Sequence, residues 1–118
     1  NNDVLRRVVR YAQSEGLRVE IRHGDTTVLA RKKIVEDPPD VLITTPESLA
    51  VVLTSEKMLA ALKVLQWVII DEVHELVANE RGAHLSLSLE RLQAASSQHV
   101  TRIGLDSSRG RSTTSRTS

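Results

Sequence analysis

Two short apolar runs restrict the fold of this chain more than any other feature of its sequence. VLIT at 41–44 and WVII at 67–70 are short runs in which Thr44 is the one polar residue, and polar residues follow each of them. Runs of this kind, without polar alternation, are typical of strands buried on both faces of a sheet. Segments with helix signals lie between the strand-like runs. This alternation predicts an α/β fold with a parallel sheet covered by helices.

The flanking sequence supplies the remaining elements. Apolar residues at helical spacing predict a helix over 3–15, which Asp3 begins and Gly16 ends in a left-handed conformation. Apolar and charged residues alternate over 17–22, which predicts a half-buried strand. Further helices are expected at 26–36, 46–53 and 55–64, then from the end of WVII to 78 and at 82–96, with a last strand at 100–105.

One of these helices has a competing interpretation. The LSLSL run within 82–96 alternates as a strand would. However, Leu85, Leu89 and Leu92 recur at the spacing of one helical face. We therefore expect a helix there.

Length and composition describe one small globular domain. The chain has 118 residues, 40% of them hydrophobic and 26% charged, with a formal net charge of +1 that neither favours nor excludes a polyanionic partner. It has no cysteine, which excludes a disulfide scaffold and cysteine metal sites and fits a reducing cytoplasm. No apolar run approaches the roughly 18 residues of a membrane helix, so no membrane partner is expected.

The last residues differ from the rest of the chain. Residues 106–118 contain three arginines, one aspartate and no apolar residue. A segment with nothing to bury does not offset the entropy lost on ordering, so we expect a disordered Ser/Thr/Arg tail. The predicted domain is therefore residues 1–105.

Two adjacent carboxylates follow the second apolar run. In WVIIDEVH (67–74), Asp71 and Glu72 come at the carboxyl end of a buried strand, where open α/β sheets bind ligands. One carboxylate there can hold Mg²⁺ and its neighbour can activate a water molecule for attack on a phosphate. Taken alone, the pair more often caps the next helix and favours its dipole.

A second polar segment follows the first apolar run. TTPESL (44–49) has Thr45 as a helix N-cap, Pro46 at the first helical position and Glu47 in the first turn. The free N–H groups of such a terminus suit a backbone phosphate, and Thr44, Thr45 and Ser48 could add hydroxyl groups. Taken alone, the segment is more often only a well-capped helix, and the RHGD turn at 22–25 says little by itself.

Other sites are excluded or disfavoured. His74-Glu75 lacks the second histidine of a zinc-protease HExxH motif, because residue 78 is alanine. No GxSxG nucleophile elbow is present. The basic run Arg31, Lys32 and Lys33 is more typical of a solvated helix face than of a phosphate site.

Together these segments resemble a known family. DEVH (71–74) resembles motif II, the Walker B box, of superfamily 2 DEAD/DEAH-type helicases, and TTPESL resembles their motif Ib. In order and spacing, residues 1–105 resemble the first motor domain of large helicase-related (Lhr-type) ATP-dependent helicases. The resemblance implies a RecA-like parallel sheet sandwiched by helices, and ATP and Mg²⁺ as cofactors of the intact family.

The resemblance also implies roles for individual residues. Asp71 matches the aspartate that holds the water shell of Mg²⁺, Glu72 the glutamate that activates the hydrolytic water, and His74 the position that couples nucleotide state to strand separation. The nucleic-acid contacts implied are Thr44, Thr45, Pro46 and Glu47 of motif Ib, with the Gly24-Asp25 turn.

Two departures from the family limit what the chain is expected to do. No Gly-Lys-Ser/Thr string of a P-loop is present, so the sheet is expected to be incomplete, without the P-loop strand. After RIGL the family has Ser-Ala-Thr, whereas this chain has Asp106, Ser107 and Ser108. We therefore expect no ATPase activity and no bound cofactor for the chain alone. The alternative is a non-catalytic nucleic-acid-binding or protein-interaction module.

The expected partners follow from the same resemblance. Single-stranded or duplex nucleic acid is expected, with DNA favoured over RNA. Loss of the P-loop strand would expose the edge of strand 100–105, so self-association through that edge is also expected.

Overall fold

The fold is built on one five-stranded sheet. The computed structural model describes residues 2–22, 28–71, 80–106 and 111–115. The strands lie in sequence order, and the first four are parallel while the last is antiparallel to its neighbour. Their bounds are β1 Val19–Arg22, β2 Val41–Thr44, β3 Trp67–Ile70, β4 Thr101–Asp106 and β5 Arg111–Ser115. The predicted α/β class with a parallel sheet is confirmed.

Helices connect the parallel strands, as the alternation of the sequence predicts. The expected helix at 55–64 is divided, because α4 ends in one turn of 3₁₀ helix at Leu62–Val64. The helix expected between Asp71 and residue 78 lies outside the described residues. Within the described ranges, no helix is long and apolar enough to cross a membrane. The helices are α1 Asn2–Ser14, α2 Val28–Glu36, α3 Pro46–Val52, α4 Glu56–Ala61 and α5 Glu80–Ala95.

Most helices cover one face of the sheet, called here the α5 face. Leu42, Val68 and Ile70 point to this side and pack with residues of α2, α3, α4 and α5 in one buried cluster. Leu92 is buried in this cluster, and Leu85 and Leu89 pack against it. The helical interpretation of the LSLSL segment is therefore confirmed. β2 is buried throughout and β3 is buried at 68–70, because their side chains meet packed residues here and on the opposite face as well.

The other face of the sheet is called the α1 face, because α1 is the helix that covers it among the described residues. Val41, Ile43 and Ile69 point to this side, where Ala12 of α1 is buried against them. Because one helix does not span four strands, an open apolar groove of about 590 Å³ remains between α1 and the strands β3 and β4. Trp67 lines this groove and is 37% exposed. The two faces of the sheet are therefore covered unequally.

Gly16 ends α1 as its position in the sequence predicts. Its φ is +79°, a left-handed conformation that L side chains rarely adopt. The N–H of Gly16 donates to the carbonyl of Gln13, and the N–H of Leu17 donates to that of Ala12, both at 3.0 Å. These bonds satisfy carbonyl groups at the end of the helix and turn the chain toward β1.

The structure departs from the sequence expectation in the last segment. Residues 106–118 were expected to be disordered, but Arg111–Ser115 forms β5 and pairs with β4, which itself extends to Asp106. The edge of β4 offers unpaired backbone N–H and C=O groups, and a strand of any composition can satisfy them. The β4 edge on which self-association was predicted is thus occupied by this chain's own strand.

Candidate functional site

The carboxyl ends of β1, β2 and β3 bring the predicted site residues together. The register places Arg22, Thr44 and Ile70 side by side at the ends of these strands. Thr45 follows β2 directly, and Asp71 follows β3 directly. The N–H of Asp71 donates to the carbonyl of Thr44 at 2.8 Å. The TTPESL segment and the start of DEVH therefore meet at one edge of the sheet.

Thr44 lies in the middle of this edge and is fully buried. Its Oγ1 donates to the carbonyl oxygen of Arg22 at 2.8 Å, while its own carbonyl accepts from Asp71. The residue thus links the ends of all three strands. Its side chain has no solvent exposure in the unbound chain, and its hydroxyl group holds the strand ends in place.

Thr45 caps α3 as the sequence predicts. Its backbone is extended (φ −101°, ψ 163°). Its Oγ1 accepts from the N–H of Ser48 at 3.2 Å and donates to Oγ of Ser48 at 3.0 Å. Pro46 occupies the first helical turn and is buried, whereas Glu47 is exposed. The N–H of Glu47 has no acceptor within the helix because it belongs to the first turn. Thr45 is partly exposed and Glu47 with its carboxylate is exposed, so these two residues are the accessible ones among 44–49.

Only part of the predicted nucleotide-side residues can be placed. Asp71 is partly exposed at the carboxyl edge of the sheet. Glu72, His74, Gly24 and Asp25 lie outside the described residues. The structure therefore brings together Asp71 with the four predicted residues of the TTPESL segment.

A buried ion-pair cluster next to this edge was not singled out from the sequence. Glu20 of β1 is 8% exposed and pairs with the guanidinium of Arg22 and, at 3.7 Å, with Nζ of Lys33 of α2. In the described part of the chain, the buried Nε of Arg22 has no hydrogen-bond partner. The two-residue spacing of Glu20 and Arg22 within the alternating strand is the signal that could have placed them on one face.

Mg²⁺-bound ATP requires oxygen ligands for the metal and groups that neutralise its phosphates. Among residues 2–22, 28–71, 80–106 and 111–115, no group of three or more His, Asp or Glu residues could hold a metal ion. The sequence also has no Gly-Lys-Ser/Thr string to surround and neutralise the phosphates. Asp71 alone does not supply these functions. Among the described residues, Asp71 is the one member of the predicted nucleotide site, and it does not fit Mg²⁺-bound ATP by itself.

Comparison with known proteins identifies the family. The model of the DEAD/DEAH box helicase family matches residues 1–107. The chain belongs to this helicase family. It is 54% identical over 89 residues to the Lhr helicase/uracil glycosylase of Escherichia coli, covering 75% of this chain and 6% of that protein. It is 45% identical over 117 residues to the ATP-dependent helicase Lhr-Core protein 2 of Thermococcus barophilus, covering 89% of this chain and 13% of that protein.

A solved helicase structure supports the same assignment. The structure of Mycobacterium smegmatis helicase Lhr bound to ssDNA and AMP-PNP matches this helicase-family chain with a TM-score of 0.62 and 46% identity. The match covers 81% of this chain and 13% of that one. The resemblance to Lhr-type helicases and the RecA-like fold is thereby confirmed. The chain spans at most 13% of the length of these three relatives.

Proposed function

We propose that this chain forms the nucleic-acid-facing part of the first motor domain of an Lhr-type ATP-dependent helicase. The observation that carries the proposal is the hydrogen bond between the N–H of Asp71 and the carbonyl of Thr44. It holds the segment that resembles motif II next to the segment that resembles motif Ib. A motor needs this proximity, because nucleotide chemistry at one strand end must influence the nucleic acid held at the next.

The nucleic-acid contact that we propose is small and lies at the start of α3. In the unbound chain the Thr45 hydroxyl donates to Oγ of Ser48 at 3.0 Å, so a phosphate oxygen would accept this proton in place of Ser48, beside the N–H of Glu47. Thr44 and Pro46 are buried and position this helix start. The resemblance extends the contact to Gly24 and Asp25. That a related Lhr structure is bound to ssDNA supports the proposal.

The nucleotide-side roles are proposed for an intact motor only. There, Asp71 would serve Mg²⁺ binding, Glu72 water activation and His74 coupling to strand separation, as the family resemblance implies. The 118-residue chain lacks the Gly-Lys-Ser/Thr string needed for the phosphates. We therefore propose that the chain alone binds nucleic acid without hydrolysing ATP, and that it binds DNA more tightly than RNA.

The second candidate is a non-catalytic module derived from such a helicase. Such a module does not need the lysine and N–H groups of a P-loop, and these 118 residues contain no Gly-Lys-Ser/Thr string. In this case the carboxyl edge would keep its fold and any nucleic-acid or protein contact, while Asp71 and Glu72 would carry no chemistry in any assembly. Adding a protein segment that contains a P-loop separates the two candidates, because only the motor gains ATPase activity.

The proposed contact can be tested with a pair of matched N-cap variants. Ser55 caps α4 as Thr45 caps α3, since its Oγ accepts from the N–H of Met58 at 3.4 Å. Thr45→Ala and Ser55→Ala should each destabilise the fold by about 1 kcal/mol. Binding is measured by anisotropy titration with labelled oligothymidylate. Only Thr45→Ala should weaken it, by about threefold to tenfold, because this variant removes a phosphate contact and loosens the start of α3.

Salt dependence and a ribose control complete the test. The logarithm of the association constant should fall linearly with the logarithm of salt concentration, as it does when lysine or arginine side chains neutralise phosphates. Oligouridylate should bind more weakly than oligothymidylate. Salt-independent binding, or equal loss of binding in Thr45→Ala and Ser55→Ala, would contradict the proposed contact.

A further inference from the structure

β1 is the terminal strand of the sheet and leaves one edge open. It pairs with β2 and with no other strand of the described chain. The carbonyl of Arg18 accepts from the N–H of Val41 at 2.9 Å, so the backbone of Arg18 faces β2. Because backbone groups alternate in direction along a strand, those of Val19 and Ile21 point away from β2. These two residues offer N–H and C=O groups to an additional strand.

An apolar groove runs beside this open edge on the α1 face. Leu5 and Val9 of α1 and Ile21 of β1 form its apolar part, and its volume is about 250 Å³. The side chain of Ile21 is 42% exposed, although an apolar residue at this strand position would be expected to pack against other apolar residues. A side chain from an added strand, pointing to the α1 face, would enter this groove and cover Ile21.

Arginines flank the groove and give it a positive charge. Arg6 and Arg10 lie one helical turn apart on α1 and are exposed, and both line the groove. Neither makes an ion pair with a residue that the structure describes. If the β1 edges of two copies of this chain paired, the arginines of one copy would lie close to those of the other and repel them. A second copy is therefore a disfavoured occupant. Acidic side chains complement the surface.

We propose that the open edge of β1 and its groove, here the β1 docking edge, bind an extended acidic polypeptide segment by strand addition. The segment pairs through its backbone with Val19 and Ile21 and places an apolar side chain between Leu5 and Val9. Its carboxylates pair with Arg6 and Arg10. Backbone bonds supply affinity and the alternate side chains supply specificity, as in other cases of strand addition.

The test uses the full 118-residue chain and a synthetic peptide of alternating glutamate and valine. A peptide of alternating lysine and valine is the control for charge. Arg6→Glu with Arg10→Glu reverses the flanking charge, and Lys57→Glu with Lys63→Glu makes the same change in net charge elsewhere on the molecule. Ile21→Pro removes the outward N–H without touching the β1–β2 ladder, and Ile21→Ala keeps that N–H. Binding is measured by anisotropy and amide exchange by NMR.

The proposal predicts a specific pattern of results. The acidic peptide binds and slows amide exchange at Val19 and Ile21, and the basic peptide does not bind. The double arginine reversal weakens binding by about tenfold or more, as expected for two flanking ion pairs, while the lysine control changes it less than about twofold. Ile21→Pro abolishes binding, and Ile21→Ala retains part of it.

Three results would overturn the proposal. The first is the absence of acidic-peptide binding, or binding that the arginine and lysine variants weaken equally. The second is displacement of the peptide by oligothymidylate together with weaker oligothymidylate binding in the arginine variant, which would assign the arginines to nucleic acid. The third is concentration-dependent association of the chain without peptide that protects Val19 and Ile21, which would assign the edge to a second copy.

Discussion

The N–H of Asp71 donates a 2.8 Å hydrogen bond to the carbonyl of Thr44, and this bond connects the ends of two neighbouring strands. Thr44 in turn donates through its hydroxyl to the carbonyl of Arg22 on a third strand. A displacement of Asp71 beyond hydrogen-bond reach must either break the bond or move the end of β2 with it. Since Thr45 and α3 follow directly, the same displacement reaches the helix start proposed to hold nucleic acid.

We expect no Mg²⁺-dependent ATP hydrolysis from the 118-residue chain, with or without single-stranded DNA. The physical reason is that Asp71 and Glu72 lack the lysine and backbone N–H groups of a P-loop, which neutralise phosphate charge. Release of inorganic phosphate is the measurement. Hydrolysis above background that disappears in Glu72→Gln would contradict this prediction.

Removing the Thr44 hydroxyl should destabilise the fold. Thr44→Val keeps the shape of the side chain but leaves the Arg22 carbonyl without its donor, which should lower the free energy of unfolding by about 1–3 kcal/mol. Thr44→Ser keeps the hydroxyl and loses only a methyl group, a loss of about 0.8 kcal/mol. Urea unfolding measures both. The hydrogen bond would be unimportant if Thr44→Val were as stable as the unmodified chain.

Gly16→Ala should be destabilising although there is room for a methyl group. No heavy atom lies within 4 Å of the position of an added Cβ, so the effect comes from the positive φ of +79° alone. A left-handed backbone disfavours alanine by about 1–2 kcal/mol, and reduced entropy of the unfolded chain offsets part of this. Gly16→Asn should lose less because asparagine tolerates this conformation better. Equal midpoints of urea unfolding for Gly16→Ala and the unmodified chain would refute the strain argument.

A chain that ends after Asp106 should self-associate more strongly than the full chain. The truncation removes β5 and exposes the backbone groups of β4 to other molecules. Sedimentation velocity over a series of concentrations is the measurement. The control is Thr113→Lys, a variant that changes the sequence of β5 but keeps the strand. It should not self-associate more than the full chain. A truncated chain that stays monomeric at the concentrations at which the full chain does would show that β5 does not protect the sheet.

Much of the fold could be predicted because local patterns and packing agree. Strands 41–44 and 67–70 have their predicted bounds, since wholly apolar runs between polar residues leave little freedom in register. The helix at 82–96 was assigned correctly because three leucines share a face that meets the core. Gly16 was assigned to its left-handed position by its place at the end of an amphipathic stretch.

The remaining features depend on tertiary contacts that leave no local pattern. β5 is built from polar residues and owes its place to the open backbone of β4, which no side-chain period encodes. Thr44 belongs to the TTPESL segment, but its burial and the hydrogen bond from its hydroxyl to the Arg22 carbonyl arise from the packing of neighbouring strands, which no local pattern encodes. In the sequence, Glu20 is one charged residue of an alternating strand, a pattern that predicts an exposed side chain. Its burial becomes evident only from the packing of α2 against β1.

The uneven covering of the sheet has a calorimetric consequence. Apolar side chains around Trp67 are already in contact with water in the native state, so unfolding exposes little additional apolar surface there. The heat-capacity increment of unfolding should therefore fall below the roughly 12–15 cal/mol/K per residue of closed domains. A smaller increment flattens the curve of stability against temperature. The free energy of unfolding is therefore expected to fall slowly when the protein is heated or cooled from its temperature of maximum stability.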